Sequence, residues 1–130
     1  MDCPVCKEPM VVLELNETEI DHCVSCHGIW LDAGELEILL GDPDGRDAFL
    51  SSFKTEDSTS EKPRKCPICD NRMKKVLCGE PGMIRLDRCP GGDGIWFDKG
   101  ELEAVLELAS FGKDRRVLNL LRDMFGKGAH

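Results

Sequence analysis

The sequence predicts a small α+β fold, stabilised by bound metal, in which one structural unit occurs twice. Three observations predict this fold: an internal repeat, paired cysteines in each copy, and too few large rings for an ordinary core. Aromatic residues make up 5% of the 130 residues, Tyr is absent, and eight residues are Cys. A chain of this size with so little aromatic area needs cross-links or bound metal to stabilise its core.

The repeat is visible in three pairs of matched segments. They are CPVC and CPIC at 3–6 and 66–69, DHC and DRC at 21–23 and 87–89, and GIWLDAGELE and GIWFDKGELE at 28–37 and 94–103. The offset is 63 residues at the first pair and 66 at the others. The second copy therefore has three extra residues, which we place in the Gly- and Pro-containing turn at 78–82.

Each copy begins with a predicted β-hairpin. Strand candidates at 10–15 and 73–78 are each followed by a polar turn and a short strand that reaches the next cysteine. Apolar residues at matching positions should share the buried face of the hairpin. The expected pairs are Leu13 with Ile20, and Val76 with Leu86.

A short helix is predicted after each hairpin. Asp32 and Asp98 each precede a Glu by three residues, which is the spacing of a capping box with Asp in the Ser or Thr position. The apolar residues that follow mark one helical face in each copy: Leu36, Leu39 and Leu40, and Leu102, Val105 and Leu106.

The chain is thus predicted to have four parts. They are unit 1 at 1–41, a linker at 42–63, unit 2 at 64–111 and a C-terminal helix at 112–130. The Ser-, Thr-, Lys- and Glu-rich residues 51–65 predict a mobile linker, preceded by a turn or two of helix at 47–53.

The C-terminal helix is expected to be amphipathic. Its apolar stripe consists of Val117, Leu120, Leu121, Met124 and Phe125 at helical spacing. The stripe packs either on its own domain or on another chain, and the second arrangement would give a homodimer.

No run of 18 apolar residues and no basic, apolar leader is visible, so neither a membrane span nor a signal peptide is expected. We expect a cytoplasmic location, where thiols stay reduced and paired cysteines indicate metal ligands rather than disulfides. No nucleophile–base pair or cofactor loop accompanies the cysteines, so no enzymatic activity is expected.

The first candidate metal site is in unit 1. Two C-x2-C pairs separated by 16 residues form the four-cysteine zinc pattern, because two tight turns across a hairpin can present four thiolates as a tetrahedron. The ligands expected are Cys3, Cys6, Cys23 and Cys26. His22 and His27 are expected to lie beside this site rather than to bind the metal.

Unit 2 departs from the pattern at its fourth position. Cys66, Cys69 and Cys89 are present, but Gly92 stands where the fourth cysteine is expected and Asp93 follows it. Three alternatives arise: Asp93 supplies an oxygen, water completes an open zinc site, or the site has lost its metal. We favour Asp93 as the fourth ligand, and so expect two Zn²⁺ per chain. Cys78 is interpreted as an apolar filler equivalent to Leu15.

Both units carry a tryptophan shortly after the second cysteine pair. Trp30 and Trp96 are expected to cover the zinc hairpins and to supply core area. Gly28 and Gly94 are expected to lead the chain out of the turn with positive φ.

The segments Cys-Pro-x-Cys and Cys-x2-Cys-x-Gly-Ile-Trp-Leu-Asp-x-Gly-Glu-Leu resemble the transcription factor IIB-type zinc-ribbon family. The resemblance covers 1–40 closely, and 64–106 except at the fourth ligand. It implies two tandem zinc ribbons with the cysteine ligands named above. The name of the family suggests transcription, although an activity does not follow from a fold.

Acidic and basic side chains are distributed unevenly between the two halves of the chain, and this distribution indicates the chemistry of a partner. Residues 1–60 carry 14 acidic side chains against three basic ones, and residues 61–130 carry 11 against 14, which together give −8. This favours a protein-interaction module whose partner has a basic surface. A zinc- or redox-responsive role of the three-thiolate site is a less favoured hypothesis. The alternative is nucleic-acid binding by unit 2, through Arg64, Lys65, Arg72, Lys74, Lys75, Arg85 and Arg88.

Overall fold

A computed structural model describes residues 1–15, 18–40, 49, 51–56, 64–78, 84–108, 119–120 and 123. Its strands are β1 Val11–Leu15, β2 Thr18–His22, β3 Ile29–Asp32, β4 Lys54–Glu56, β5 Lys74–Cys78, β6 Ile84–Arg88 and β7 Gly94–Phe97. Its helices are α1 Glu35–Leu40 and α2 Glu101–Leu108. The C-terminal helix predicted at 112–130 lies outside the described residues, apart from 119–120 and 123. No described helix is long and apolar enough to span a membrane.

Both predicted hairpins are confirmed, with the predicted cross-strand pairs. Leu13 lies opposite Ile20 in β1 and β2, and Val76 lies opposite Leu86 in β5 and β6. The connection between β5 and β6 is three residues longer than that between β1 and β2, as the repeat offset predicted.

The two units form one sheet, an arrangement that the prediction of two tandem ribbons did not include. The strand order is β1-β2-β3-β7-β6-β5-β4, and all neighbouring strands are antiparallel. The third strand of each unit joins the halves, with Trp30 opposite Trp96. Because each tryptophan is paired with its own counterpart in the repeat, a local two-fold axis passes between them. The strands β3 and β7 were not predicted from the sequence, because each is only four residues long.

Part of the predicted linker also belongs to this sheet. Residues 54–56, expected to be mobile, form β4 on the free side of β5. Residues 49 and 51 are helical, in agreement with the helical turn predicted before the linker.

The two faces of the sheet have different roles. One face packs against both helices, and its buried core mixes residues of unit 1, such as Leu15 and Leu36, with residues of unit 2, such as Leu86 and Leu102. Cys78 is fully buried in this core, as is Leu15 at the equivalent position of unit 1, which confirms the interpretation of Cys78 as an apolar filler. The opposite face packs the two tryptophans against the cysteine clusters. One continuous core therefore holds both units together.

Glycines 28 and 94 allow the halves to approach each other. A Cβ atom at Gly28 would overlap the ring of Trp96, and one at Gly94 would overlap the ring of Trp30 and the carbonyl oxygen of Leu31. The expectation of a positive φ is wrong for Gly28, whose requirement is the close approach of the ring instead. Gly94 does have a positive φ, of 158°.

The predicted helix starts are confirmed, but the Asp side chain of each capping box has a different partner. Glu35 and Glu101 each accept the backbone N–H of the preceding Asp at 2.7 Å, as a capping box requires. The Asp carboxylates accept the indole N–H of the tryptophans instead, at 2.7 Å for Trp30 and 3.0 Å for Trp96. The helix cap and the tryptophan of each unit are thereby connected.

We expect Glu101→Gln to stabilise the protein at pH 8. Burial, and to a lesser extent the Asp98 charge, raise the pKa of Glu101 to about 7. Because the pKa in the unfolded chain is lower, ionised Glu101 lowers the free energy of unfolding progressively from pH 4.5 to 7, and fully above pH 7. Gln still accepts the Asp98 N–H, so the variant should gain about 1 kcal/mol at pH 8 after allowance for solvent screening.

Urea unfolding of the zinc-loaded protein at pH 6 and pH 8 measures this effect. The corresponding change in unit 1, Glu35→Gln, is the control, since burial raises the pKa of Glu35 less strongly. If the Glu101→Gln protein is less stable than wild type at pH 8, the negative charge of Glu101 itself stabilises the N-terminal cap of α2.

Candidate metal centres

Unit 1 brings its four predicted cysteines together through two tight turns. The first turn precedes β1 and the second follows β2, so both lie at the same end of the hairpin. Each turn is closed by a residue with a φ of 64°, Lys7 or His27, whose N–H donates to the carbonyl oxygen of the first cysteine of the turn at 2.8–2.9 Å. The left-handed conformation reverses the chain directly after the second thiol.

The four thiols of unit 1 fit a zinc ion. All four Sγ atoms lie within 4.8 Å of one another, and the Cys3 and Cys26 Sγ atoms are 3.7 Å apart. A tetrahedron with Zn–S bonds of about 2.3 Å has edges of about 3.8 Å. The backbone N–H groups of Val5 and Cys6 donate to Cys3 Sγ at 3.3 and 3.2 Å.

The thiols of this site differ in acidity even without metal. Burial would raise the pKa of Cys23, but hydrogen bonds from the Cys26 and Ser25 backbones, together with neighbouring thiols, lower it to about 7. Burial instead raises the pKa of Cys26 strongly. One thiolate is therefore accessible near neutral pH, and a metal ion would deprotonate the others.

The second turn of unit 2, at residues 89–93, is built differently from the other three cysteine turns of the chain. Gly92 takes the left-handed conformation there, with a φ of 86°, and its N–H donates to the Cys89 carbonyl at 3.0 Å. The turn thus closes one residue earlier than the other three, and the next residue, Asp93, falls at the ligand position. The ligand and the left-handed residue have exchanged their order in the sequence. In the other three turns the left-handed residue follows the second cysteine: Lys7, His27 and Asp70.

The carboxylate of Asp93 completes the second cluster. Its Oδ2 atom lies 3.6 Å from Cys66 Sγ and 3.5 Å from Cys89 Sγ, and Cys69 Sγ lies 3.6 Å from Cys89 Sγ. A zinc tetrahedron with S and O ligands has S···O edges of about 3.6 Å. Hydrogen bonds from the three thiols, led by Cys69, lower the pKa of Asp93. The donors therefore fit a second zinc ion with three sulfur atoms and one oxygen.

A family comparison agrees with this geometry. The model described as transcription factor zinc-finger, of the IIB zinc-ribbon type, matches residues 2–42 and 65–108. The chain belongs to this family. The two matched regions confirm two tandem copies, and together with the two clusters they confirm zinc binding at two sites. No curated protein and no solved structure matches the chain.

The zinc-ribbon units differ in the polar groups beside the tryptophans. In unit 2, Asp87 is 1% exposed and lies 2.7 Å from Lys75 Nζ, which is 6% exposed. Arg64 contacts the same carboxylate at 3.3 Å and bonds to Asp98. This network was not predicted from the sequence, although strand alternation places Lys75 on the same face of the sheet as Met73, which is buried. Two of the seven basic residues proposed for nucleic acid are therefore neutralised within the fold.

Unit 1 has the equivalent acids without these cations. Met1 and Val12 occupy the positions of Arg64 and Lys75, and Glu19 occupies the position of Arg85. Burial and the Asp32 charge raise the pKa of Asp21, the counterpart of Asp87. In the part of the chain that the structure describes, no lysine or arginine forms an ion pair with Glu19, Asp21, Asp32 or Glu35.

Lys75→Met is expected to lower the free energy of unfolding by about 3 kcal/mol. The variant keeps the apolar stem but leaves the buried Asp87 carboxylate without its nearest cation. Adding Asp87→Asn should restore most of the loss, because the amide needs no counter-charge. Urea unfolding of both variants, with Val12→Met as the surface control, measures this; equal losses in the single and double variants would contradict it.

The two histidines lie beside site 1, as predicted, and not within the cluster of sulfur atoms. His22 is 5% exposed, and its ring lies 5.8 Å from that of His27. Burial lowers the pKa of His22, so its ring is neutral at physiological pH. The His22 ring therefore adds no positive charge beside the anionic site.

Proposed function

We propose that the protein is a structural zinc module that binds a protein partner through the acidic surface of unit 1. The difference between the units carries this proposal: the acids beside Trp96 form ion pairs with Lys75 and Arg64, whereas no lysine or arginine among the described residues pairs with those beside Trp30. Exposed Glu14 and Glu19, with half-buried Asp21, therefore form an acidic surface that a basic partner would complement.

The donor sets support a structural role for both ions. Each cluster offers four protein ligands, so that no coordination position remains for water or substrate. Four anionic ligands around Zn²⁺ leave a charge of about −2 at each site. Site 1 thus adds to the acidity of unit 1, which favours a basic partner further. We propose no catalytic role.

We also propose that Asp93 holds the second zinc ion. Asp93→Ala is expected to reduce the zinc content from two ions to one, because a three-thiolate site with water binds zinc more weakly. Asp93→Cys should retain both ions, since it restores four thiolates. Native mass spectrometry of the untagged protein gives the stoichiometry, with Glu8→Ala as an exposed acidic control. Two ions in Asp93→Ala after dialysis would show that the carboxylate is not a ligand.

The partner proposal is tested by charge neutralisation. One triple variant removes three acids from unit 1: Glu14→Gln, Glu19→Gln and Asp21→Asn. The control triple variant removes three acids from unit 2: Asp70→Asn, Glu103→Gln and Glu107→Gln. The wild-type protein and both variants are used as bait in quantitative affinity capture from nuclease-treated lysate. Basic proteins that wild type captures should be lost with the unit 1 variant and retained with the unit 2 variant. Equal retention by both variants would contradict the proposal.

Binding of DNA or RNA is the competing outcome. Lys65, Arg72, Lys74 and Arg85 remain exposed on unit 2. Phosphate binding would fall steeply with salt and would be lost on charge reversal at Lys74. The described part of unit 2 presents no exposed aromatic ring for base stacking, which favours the protein partner.

A further inference from the structure

Unit 2 contains an added strand at its outer edge. The outermost hairpin strand, β5, is covered by β4, with Lys54 opposite Leu77 and Thr55 opposite Val76. Nearer the metal site, an isolated bridge joins Lys65 to the residue that precedes β5 by two positions. One side of unit 2 is therefore closed by residues that come before its first cysteine pair.

The equivalent edge of unit 1 is open in the described part of the chain. The bridge between Asp2 and Pro9 corresponds to the bridge at Lys65, so the edge begins in the same way. Beyond it, β1 ends the strand order and pairs with β2 alone among the described strands. The repeat thus shows the same edge in two states, one covered and one open.

The strand β1 has neither Lys nor Pro, and its one charged side chain is Glu14. Sheet edges in proteins are commonly blocked by Lys, Pro or a bulge, whereas β1 reads VVLEL. Val11 is 42% exposed and Val12 is 60% exposed. Two exposed valines on an edge strand favour pairing with a further strand.

The charge of this edge indicates the chemistry of the added strand. Glu14 lies directly opposite Glu19, and like charges in that arrangement are destabilising. The same positions in unit 2 hold Leu77 and Arg85, so the repulsion is specific to unit 1. A cation placed beside Glu14 on the outer side would relieve it.

We propose that the β1 edge binds an extended segment of a partner protein as an added antiparallel strand. The segment carries Lys or Arg opposite Glu14 and an aliphatic residue two positions later, opposite Val12. This inference rests on the proposed function, since it locates the basic partner on the acidic unit. A second copy of this chain is disfavoured as the occupant, because residues 1–60 carry 14 acids against three bases and would repel each other.

The test uses a synthetic peptide with the required pattern, acetyl-Lys-Thr-Val-Thr-Lys-Thr-Val-Thr-amide, and the zinc-loaded full-length protein. Titration followed by ¹⁵N NMR should shift the amides of 11–15 and slow their hydrogen exchange. A peptide with Glu in place of Lys should not bind. The expected footprint is β1, with smaller shifts in β2.

Two variants distinguish edge binding from a general charge effect. Val12→Lys introduces the residue that unit 2 has at this position, and should weaken peptide binding about tenfold, or about 1.4 kcal/mol. Val24→Lys is the matched control, because Val24 is also 60% exposed but lies in the second cysteine turn. It adds the same charge to unit 1 and should change the affinity less than twofold.

The contrary outcomes are distinct. A Lys peptide that binds with shifts away from β1 would overturn the edge site and leave the acidic-surface proposal intact. No binding of the Lys peptide, or equal binding of the Glu peptide, would overturn the edge proposal, while the capture experiment would still decide on a basic partner. Protection of β1 amides in a peptide-free dimer would assign the edge to a second copy of the chain.

Discussion

Loss of zinc from site 1 alone is expected to unfold both units together. Structural zinc in small domains contributes about 10–16 kcal/mol of apparent binding free energy, which is as large as the net stability of a typical domain, about 5–15 kcal/mol. The loss of stability should extend to unit 2, because β3 pairs with β7 and one core contains residues of both units. Cys23→Ser should therefore abolish folding of unit 2 as well.

The measurement is a ¹⁵N NMR spectrum of Cys23→Ser with one equivalent of zinc, compared with the corresponding Cys89→Ser protein. Both spectra should lose the dispersed amide signals of the two units. In wild type, a chelator titration should give a single transition by circular dichroism. Dispersed signals of 84–97 that persist in Cys23→Ser would show that unit 2 folds independently of unit 1.

Gly28→Ala is expected to destabilise the protein by about 3 kcal/mol or to prevent folding. The added Cβ would overlap Cζ2 and Cη2 of Trp96, which is fully buried and anchored through its indole N–H to Asp98. Gly94→Ala should have a similar effect, because its Cβ would lie 2.7 Å from Cζ2 of Trp30. Both changes act at the junction between the units.

Thermal unfolding of the zinc-loaded variants measures this effect. The control is Gly91→Ala, whose Cβ would lie 3.6 Å from Cys89 Sγ, an ordinary contact. Gly28→Ala and Gly91→Ala proteins of equal stability would contradict the predicted packing of the Trp96 ring. One zinc site of the Gly28→Ala protein can also be emptied. If that protein still has wild-type stability, the stability of the two units does not depend on this junction.

The predictions from sequence succeeded where the determining interactions are local. A hairpin with alternating apolar residues, a helix start with Glu three residues after Asp, and two cysteines in one tight turn each depend on neighbouring residues. Asp93 was favoured as a ligand because it follows the position of the missing cysteine. In the structure Asp93 lies in the second cluster, because Gly92 closes the turn one residue early.

The predictions were incomplete where distant segments meet. The strands β3 and β7 pair across 66 residues of sequence, and each is too short to show a period. The ion pairs of Asp87 with Lys75 and Arg64 likewise join separate strands and turns. Local pattern carries no information about such partners.

The sequence by itself determined the repeat, the two hairpins, the helix starts and the two sets of metal donors. Each of these depends on residue types at fixed short spacings, which the backbone geometry of turns and helices requires. Only the tertiary structure decided that the units form one sheet, that Trp30 meets Trp96, and that Asp87 and Asp98 of unit 2 form ion pairs with Lys75 and Arg64. The reason is physical: the pairing of edge strands and the neutralisation of buried charges depend on which surfaces come together. Because the two repeats are nearly identical, a few substituted positions determine these contacts.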